Sequence, residues 1–546
     1  MQWSSVLGLI VLLLAQLALS SSSSPFKKPK VHHNLPLPKS NHRISISDTS
    51  SPSTNSNSNT PRIVGTSAGS LFIDELGRSR IFRGTNVVYK AFPYVPDISP
   101  DADPKYSFNQ IDVDILKNHA TTVIRLGVMW PGVEPERGQY NMTYLETMKS
   151  IVQMLDEAGI YVLLDMHQDI FSEKFCGEGV PSFAAQPREG RFGFPFPLEV
   201  KAYPVDEDGI PSEEDCRKHQ FHLYQGTQAV SEAYQRLYDN YDGLRDSFLA
   251  YWKLLAETFL PFKNILGYDL INEPWNGNVF KDPSLSNPLV ANRKNLQPFY
   301  DIIAEGIRSV DPDAIIHFES VTTIQKTVGF DKVPGGPDFA SKSVLNFHYY
   351  TSVQKQYDIE QTVGFRVEQA TELGAGSFMG EFEMGWGEGN NVPNIREHSQ
   401  AADRHFLSYT GWEYTDYVAM TGTNNGIRDP VSGNVRPDVA AVYSRPYATA
   451  IAGHPLAMEY IDETGTFTLT FVFNGNKGEA GVTEIRTNFG LHYPAGHSVN
   501  VLTANGGKFK AAVNSDTGVI RILPYEAAGD EGPNIGEEVS VVLVRI

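Results

Sequence analysis

The run "ILGYDLINEP" (residues 265–274) is apolar until it ends on Asn272, Glu273 and Pro274. Glutamate is a poor strand former and proline has no donor for a sheet ladder, so neither serves a buried strand. A carboxylate in that place is either the start of an ordinary polar loop or a catalytic acid held at the rim of a barrel. The same pattern recurs. "GSFMGEFE" ends on Glu381 and Glu383, "SVLNFHYY" on His348, Tyr349 and Tyr350, and "GIYVLLDMHQ" runs into Asp165, His167, Gln168 and Asp169, while "TTVIRLGVMW" carries Arg125. Each buried polar group needs a partner, so packing alone does not explain polar residues at the ends of five such runs. Two carboxylates, Glu273 and Glu381, suit glycoside hydrolysis: one donates a proton to the leaving oxygen, and the other attacks the anomeric carbon as an anion. Arg125, His348 and Tyr350 are candidates to keep the nucleophile charged. Asn272 is a candidate donor to the sugar 2-hydroxyl. Glu383 rivals Glu381, because a period of two puts both on one strand face.

Eight apolar runs must position these groups: residues 80–89, 121–130, 159–168, 265–274, 314–320, 343–350, 376–383 and 409–417. Several are continuously apolar, as strands buried on both faces are. Helical periodicity falls between many of them, as in 143–158, where Leu145, Met148, Ile151, Val152 and Leu155 share a face. Eight strand–helix units predict an α/β fold, a (β/α)8 TIM barrel over residues 65–445. Residues 169–230 and 275–294 are insertions. After about Pro446 the texture becomes alternating and turn-rich ("TFTLTFVFNG", "EEVSVVLVRI"), which predicts a small C-terminal β-sandwich over 446–546.

The chain has 546 residues, 41% hydrophobic and 20% charged, with a net charge of −19. That balance suits packed cores and gives no basic stripe for a nucleic-acid partner. Residues 6–19 (VLGLIVLLLAQLAL) form an apolar core too short to span a bilayer, with Ala18 and Ser20 in a small-x-small cleavage pattern. Residues 1–20 therefore predict a signal peptide, although MQWSS lacks a basic residue. Residues 21–64, rich in Ser, Asn and Pro, predict a flexible leader. The expected location is secreted, extracellular or in the endolysosomal lumen. The two cysteines, Cys176 and Cys216, form a disulfide if they meet an oxidising compartment; two buried thiols are the alternative. Neither lies in a metal-ligand or CxxC spacing, so no metal and no cofactor are expected. Asn141-Met142-Thr143 is a glycosylation sequon.

The motifs "INEPW", "RLGVMW", "NFHYY" and "GEFE" resemble the family 5 glycoside hydrolases over most of residues 65–440. The longer strings "WPGVEPERGQYNMTYL", "YVLLDMHQDIFSEKFCGEGVP" and "SRPYATAIAGHPL" resemble the endoglycoceramidase branch, which cleaves between the oligosaccharide and the ceramide of glycosphingolipids. The resemblance implies a retaining enzyme with Glu273 as acid/base, Glu381 as nucleophile, and Asn272, Arg125, His348 and Tyr350 in support. It implies sugar contacts from His167 and Asp169 and a substrate contact from Lys90. It implies a glycosphingolipid substrate; a membrane or micelle surface as the place of action and a monomeric state are separate expectations. One departure stands out. The family ends strand eight in a Tyr-Trp pair whose Trp floors the sugar, and here the pair reads Tyr414-Thr415, with Trp412 three positions earlier. Residues 191–200 and "FCGEGVPSFAA" are candidates to line an apolar groove for ceramide. Another family 5 activity, on lipid glucosides or glucans, stays open, as does a secreted carbohydrate-binding protein with a dead barrel.

Overall fold

The structure is a computed structural model that describes residues 60–546, apart from 187–191, 323–326, 352–355, 385–391, 418–425, 505–507 and 526–532. The expected signal peptide lies outside the described residues, as does all of the expected leader except residues 60–64.

Eight parallel strands close into a barrel: β1 (Arg83–Val87), β2 (Val123–Gly127), β3 (Tyr161–Asp165), β4 (Ile265–Asp269), β5 (Ile316–Glu319), β6 (Ser343–Tyr349), β7 (Gly376–Phe382) and β8 (Ser408–Gly411). Each grows from one of the eight apolar runs. Their burial is continuous, as parallel strands covered on both faces require. Six helices return the chain to the next strand: α1 (Gln110–Asn118), α2 (Met142–Glu157), α3 (Leu244–Phe259), α4 (Gln297–Arg308), α5 (Ile359–Leu373) and α6 (Val392–Arg404). On α2 the five apolar residues picked out by periodicity are all buried, and Asn141 caps its first turn by accepting from the Tyr144 N–H. Between β5 and β6 the described residues carry only a 3-10 turn, Pro337–Lys342.

The β module is not confined to residues 446–546. It has a four-stranded sheet, in which Phe467, Leu469, Phe471 and Phe473 alternate inward from Thr466–Phe473. Its second sheet has seven strands, and three of them come from the other end of the chain: Ile63–Thr66, Phe72–Asp74 and Ser79–Arg80. Ser79 and Arg80 pair with Ile451 and Ala450. These strands hold four, three and two residues, too short for an alternating pattern to declare itself. Their apolar residues plug the N-terminal end of the barrel. Phe72 stands edge-on to Phe82 at 5.4 Å and to Phe378 at 6.3 Å. The C-terminal end is left for the site.

Candidate active site

Arg125 on β2 is the centre of the site and is fully buried. A guanidinium has five N–H donors, and here all five are taken. Nε donates to Asp269 Oδ2 (2.8 Å). Nη1 donates to Glu381 Oε1 (2.8 Å) and Asn86 Oδ1 (3.1 Å). Nη2 donates to Asp165 Oδ1 and Asn272 Oδ1, both at 2.9 Å. Glu319 Oε1 stands 3.6 Å from Nη2. One cation thus faces four carboxylates. The excess negative charge must be met elsewhere, and burial, Glu319 and Asp165 push Asp269 up to about 7 against the pull of Arg125.

Glu381 reaches this centre because β7 miscounts by one. Phe378 faces the barrel interior, so strict alternation would turn Gly380 and Phe382 inward and Glu381 out toward the helices. The β6–β7 register shifts between Met379 and Glu381. Gly380 and Glu381 then both face inward, and Phe382 packs outside on His398 of α6 at 5.0 Å. Glycine is required at the bulge, since a Cβ on residue 380 would sit 2.5 Å from Asn346 Oδ1. Tyr350 donates its O–H to Glu381 Oε2 at 2.5 Å. Burial pushes the Glu381 carboxyl up and Glu273 adds to this, while His348 and Arg125 pull it down; the net direction is upward.

Glu273 lies past the end of β4, at φ +41°. For a non-glycine residue that left-handed conformation costs about 1–2 kcal/mol. Two bonds fix it: its N–H donates to Glu319 Oε2 (3.3 Å) and its carbonyl accepts from Gln168 Nε2 (3.2 Å). One carboxylate oxygen of Glu273 and one of Glu381 lie within 4.8 Å of each other. Glu383 lies beyond the strand, bridged through its backbone to Trp412. Between the two glutamates sits His348, its Nδ1 2.8 Å from Glu273 and 3.4 Å from Glu381, and its Nε2 3.2 Å from Glu319. Burial opposes its charge, but Glu319, Glu381 and Glu273 outweigh that and hold it well above the usual histidine range. An imidazolium donates a proton from each ring nitrogen. Glu273, His348 and Glu381 lie close enough to share protons.

A second group adjoins the first. Lys90, after β1, pairs with Asp169 and lies 3.1 Å from Glu178. His167 donates to Asp165 at 2.8 Å and stands 3.4 Å from Asp169. Burial and Lys90 oppose its charge, yet Asp165 and Asp169 push it up to about 9. The Trp412 indole stacks on His167 at 5.0 Å and lies under Lys90 at 4.7 Å. The family's Tyr-Trp pair falls on Tyr414-Thr415, which leaves the sugar platform without its usual Trp. Instead Trp412, just past β8, reaches the site, and Thr415 is buried away from solvent.

Asn272 has a divided role. Its oxygen takes Arg125, and its Nδ2 already donates to the Gln168 carbonyl at 3.1 Å, leaving one N–H uncommitted by those bonds. Sequence reasoning missed Asn86, Glu319 and Glu178. Asn86 lies inside β1, with nothing in its flanks to mark it. Glu319 closes a run, "AIIHFES", that shares the apolar-then-carboxylate signature and could have been found by it.

The 169–230 insertion forms one wall. Cys176 and Cys216 are bonded, with Cα atoms 5.5 Å apart. The pair pins the segment carrying Glu178, whose backbone bridges to Asp169. Phe175, Val180, Ala184 and Ala185 of the expected groove are core residues. Phe192 and Phe196 are half-buried and stacked at 4.4 Å, while Val200 is 74% and Phe92 76% exposed. Asn141 is exposed.

Residues 104–418 match the family described as "Cellulase (glycosyl hydrolase family 5)", and residues 445–534 match the "Glycoside hydrolase family 5 C-terminal domain". The chain is 38% identical over 446 residues to an endoglycoceramidase of Cyanea nozakii, covering 80% of this chain and 86% of that one. It is 39% identical over 434 residues to an endoglycoceramidase of Hydra vulgaris, covering 79% and 81%. Its fold is that of "Endo-glycoceramidase II from Rhodococcus sp.: Lactosyl-Enzyme Intermediate", at 20% identity and a TM-score of 0.65, covering 87% of this chain and 99% of that one.

Proposed function

The chain belongs to glycoside hydrolase family 5, and on that premise we propose that it is an endoglycoceramidase. It hydrolyses the linkage between the oligosaccharide and the ceramide of glycosphingolipids and retains the anomeric configuration. The observation that carries this reading is the pair Glu273 and Glu381, two inward carboxylates within 4.8 Å in unequal surroundings. Retaining enzymes hold the two groups about 5–5.5 Å apart, inverting ones about 6.5–9.5 Å, to admit a water.

Glu381 is the nucleophile. Its two oxygens are held by Arg125 and Tyr350, which fix its direction and favour the anion despite burial. It attacks the anomeric carbon while Glu273 gives its proton to the departing ceramide oxygen. The glycosyl ester on Glu381 is then opened by water, whose proton returns to Glu273. Glu273 is more exposed than Glu381 (side chains 27% against 5%), as the residue that meets leaving group and water should be. Trp412 floors the sugar, and Lys90, His167 and Asp169 border it. The full-length similarity to two endoglycoceramidases at 38–39% identity supports the lipid substrate. The exposed Phe92 and Val200 support work at a membrane or micelle surface.

We read the chain also as a secreted monomer, extracellular or endolysosomal, glycosylated at Asn141. The disulfide and the exposed sequon support passage through an oxidising lumen. The deciding experiment incubates the protein with glucosylceramide, lactosylceramide and a ganglioside and measures ceramide together with intact oligosaccharide. Release of both from the longer glycans is expected. Cleavage of glucosylceramide alone would assign a glucosidase, and no turnover of any would assign a binding protein. With an accepted aryl glycoside, Glu273→Gln should give a burst and be rescued by azide, whereas Glu381→Gln should give neither.

A further inference from the structure

Glu319, the last residue of β5, takes no part in the double displacement described above, yet it touches nearly every group that does. Its side chain is 5% exposed. Oε2 accepts the Glu273 N–H at 3.3 Å. Oε1 lies 3.2 Å from His348 Nε2, 3.4 Å from Asn346 Nδ2 and 3.6 Å from Arg125 Nη2. Its backbone carbonyl accepts the Tyr300 O–H of α4 at 2.8 Å, which anchors the strand end. A carboxylate buried among carboxylates is unfavourable unless it does something an uncharged side chain could not.

We propose that Glu319 is a positioning residue of the hydrolysis: it holds Glu273 in its left-handed turn and keeps His348 an imidazolium whose Nδ1 proton serves Glu273 and Glu381 in turn. The inference rests on the functional reading above. During the first step Glu381 loses its charge to the glycosyl ester, and Glu273 gains one as its proton leaves with ceramide. His348 keeps both protons, and its Nδ1–H turns toward whichever glutamate carries the charge. Nδ1 stands 2.8 Å from one and 3.4 Å from the other, so this needs a small reorientation and no proton transfer. The counter-charge on Nε2 is what prevents His348 from surrendering a proton as Glu273 changes state. The other charged or titratable groups facing this unit are Arg125 on β2, Asp165 on β3, Asp269 on β4, Tyr350 after β6, Glu381 on β7 and Tyr300 on α4. On β5 itself His317 is deeply buried, and burial with Arg125 keeps it neutral, down to about 3.

Glu319→Gln keeps an oxygen for the Glu273 N–H and removes the charge. It should lower kcat about tenfold with KM within about twofold, as expected of a residue that acts through Glu273 and His348. It should also move the alkaline limb of kcat/KM at least about one pH unit lower, since His348 loses its proton more easily without the neighbouring anion. Glu319→Asp keeps the charge and should leave that limb in place. A uniform loss of kcat across pH with unshifted limbs would overturn the proposal, as would wild-type behaviour of Glu319→Gln. Should the amide variant not fold, nitrogen NMR of the wild-type imidazoles decides: His348 doubly protonated above pH 8 supports the proposal, and a singly protonated ring at pH 7 ends it. That readout needs no turnover, so an inactive wild type would count against the function and leave this inference to be judged separately.

Discussion

Two guanidinium centres are buried at opposite ends of the barrel, and they solve opposite problems. At the open end Arg125 is one cation among four carboxylates, with every donor satisfied. At the closed end Arg83 and Arg445 are two cations sharing Asp403, with Asp462 3.6 Å from Arg445. Nε and Nη1 of both find no hydrogen-bond acceptor among the described residues. Aromatic faces stand in: Tyr447 lies 4.2 Å from Arg83 and Tyr460 5.3 Å from Arg445. Surplus negative charge creates demand for protons, and protons that can be given and retaken are what hydrolysis needs. The closed-end cluster, two guanidiniums beside two carboxylates and resting on rings from the β module, has no proton to exchange. It serves as a clasp, because Asp403 belongs to α6 of the barrel while Tyr447 and Tyr460 belong to the sheets.

The contrast can be broken most directly at Glu381. Glu381→Gln should lower kcat/KM on the order of 10^4-fold or more. Its melting temperature should stay level or rise, because one buried negative charge is removed from a site that has too many. A matching fall in stability would mean that the open-end cluster is structural after all. Asp403→Asn should do the reverse. Two buried guanidiniums lose their shared counter-charge, at about 3–5 kcal/mol. Denaturant melts should show it, while the folded fraction keeps its specific activity within about twofold. The staple lies between these extremes. Removing both cysteines by Cys176→Ser with Cys216→Ser reopens a loop of sequence separation 40, worth about 3–4 kcal/mol in the chain-entropy account. Since Glu178 sits on the pinned wall and pairs with Lys90, KM should rise more than kcat falls. The smallest expected effect is a shift in a pH profile. As the proposed nucleophile Glu381 must be ionised, and its carboxyl is displaced upward, so activity should fall with decreasing pH earlier than an ordinary glutamate near 4.3 would dictate. Tyr350→Phe removes a donor to the anion and should carry that acid limb higher by about half a pH unit, whereas Asp403→Asn should leave it in place.

The barrel was legible because its strands are buried on both faces and so are written as unbroken apolar runs, as in "YVLLD" and "VIRLG". The glutamates were legible where such a run stops on a charge. Other features are not written locally. The strands Phe72–Asp74 and Ser79–Arg80 acquire their sheet only from Tyr447–Ile451, hundreds of residues away. Trp412 could not be credited from a dipeptide pattern, because what matters is where its ring lies relative to His167 and Lys90. Asn86 is an interior residue of a strand, and its purpose, accepting from Arg125 and donating to the Gly380 and Gly411 carbonyls, exists only once β1, β7 and β8 are side by side.

The extra residue in β7 makes chemistry a matter of parity. Straighten the bulge, so that Gly380 takes an ordinary place in the alternation, and the barrel can still close, with the same composition of strands and the same polar rim. Position 381 would then address the helices and Phe382 the cavity. Such a shell could still hold a sugar against Trp412 and cut nothing. An enzyme and a mere receptor for its substrate are here separated by whether one strand counts odd or even.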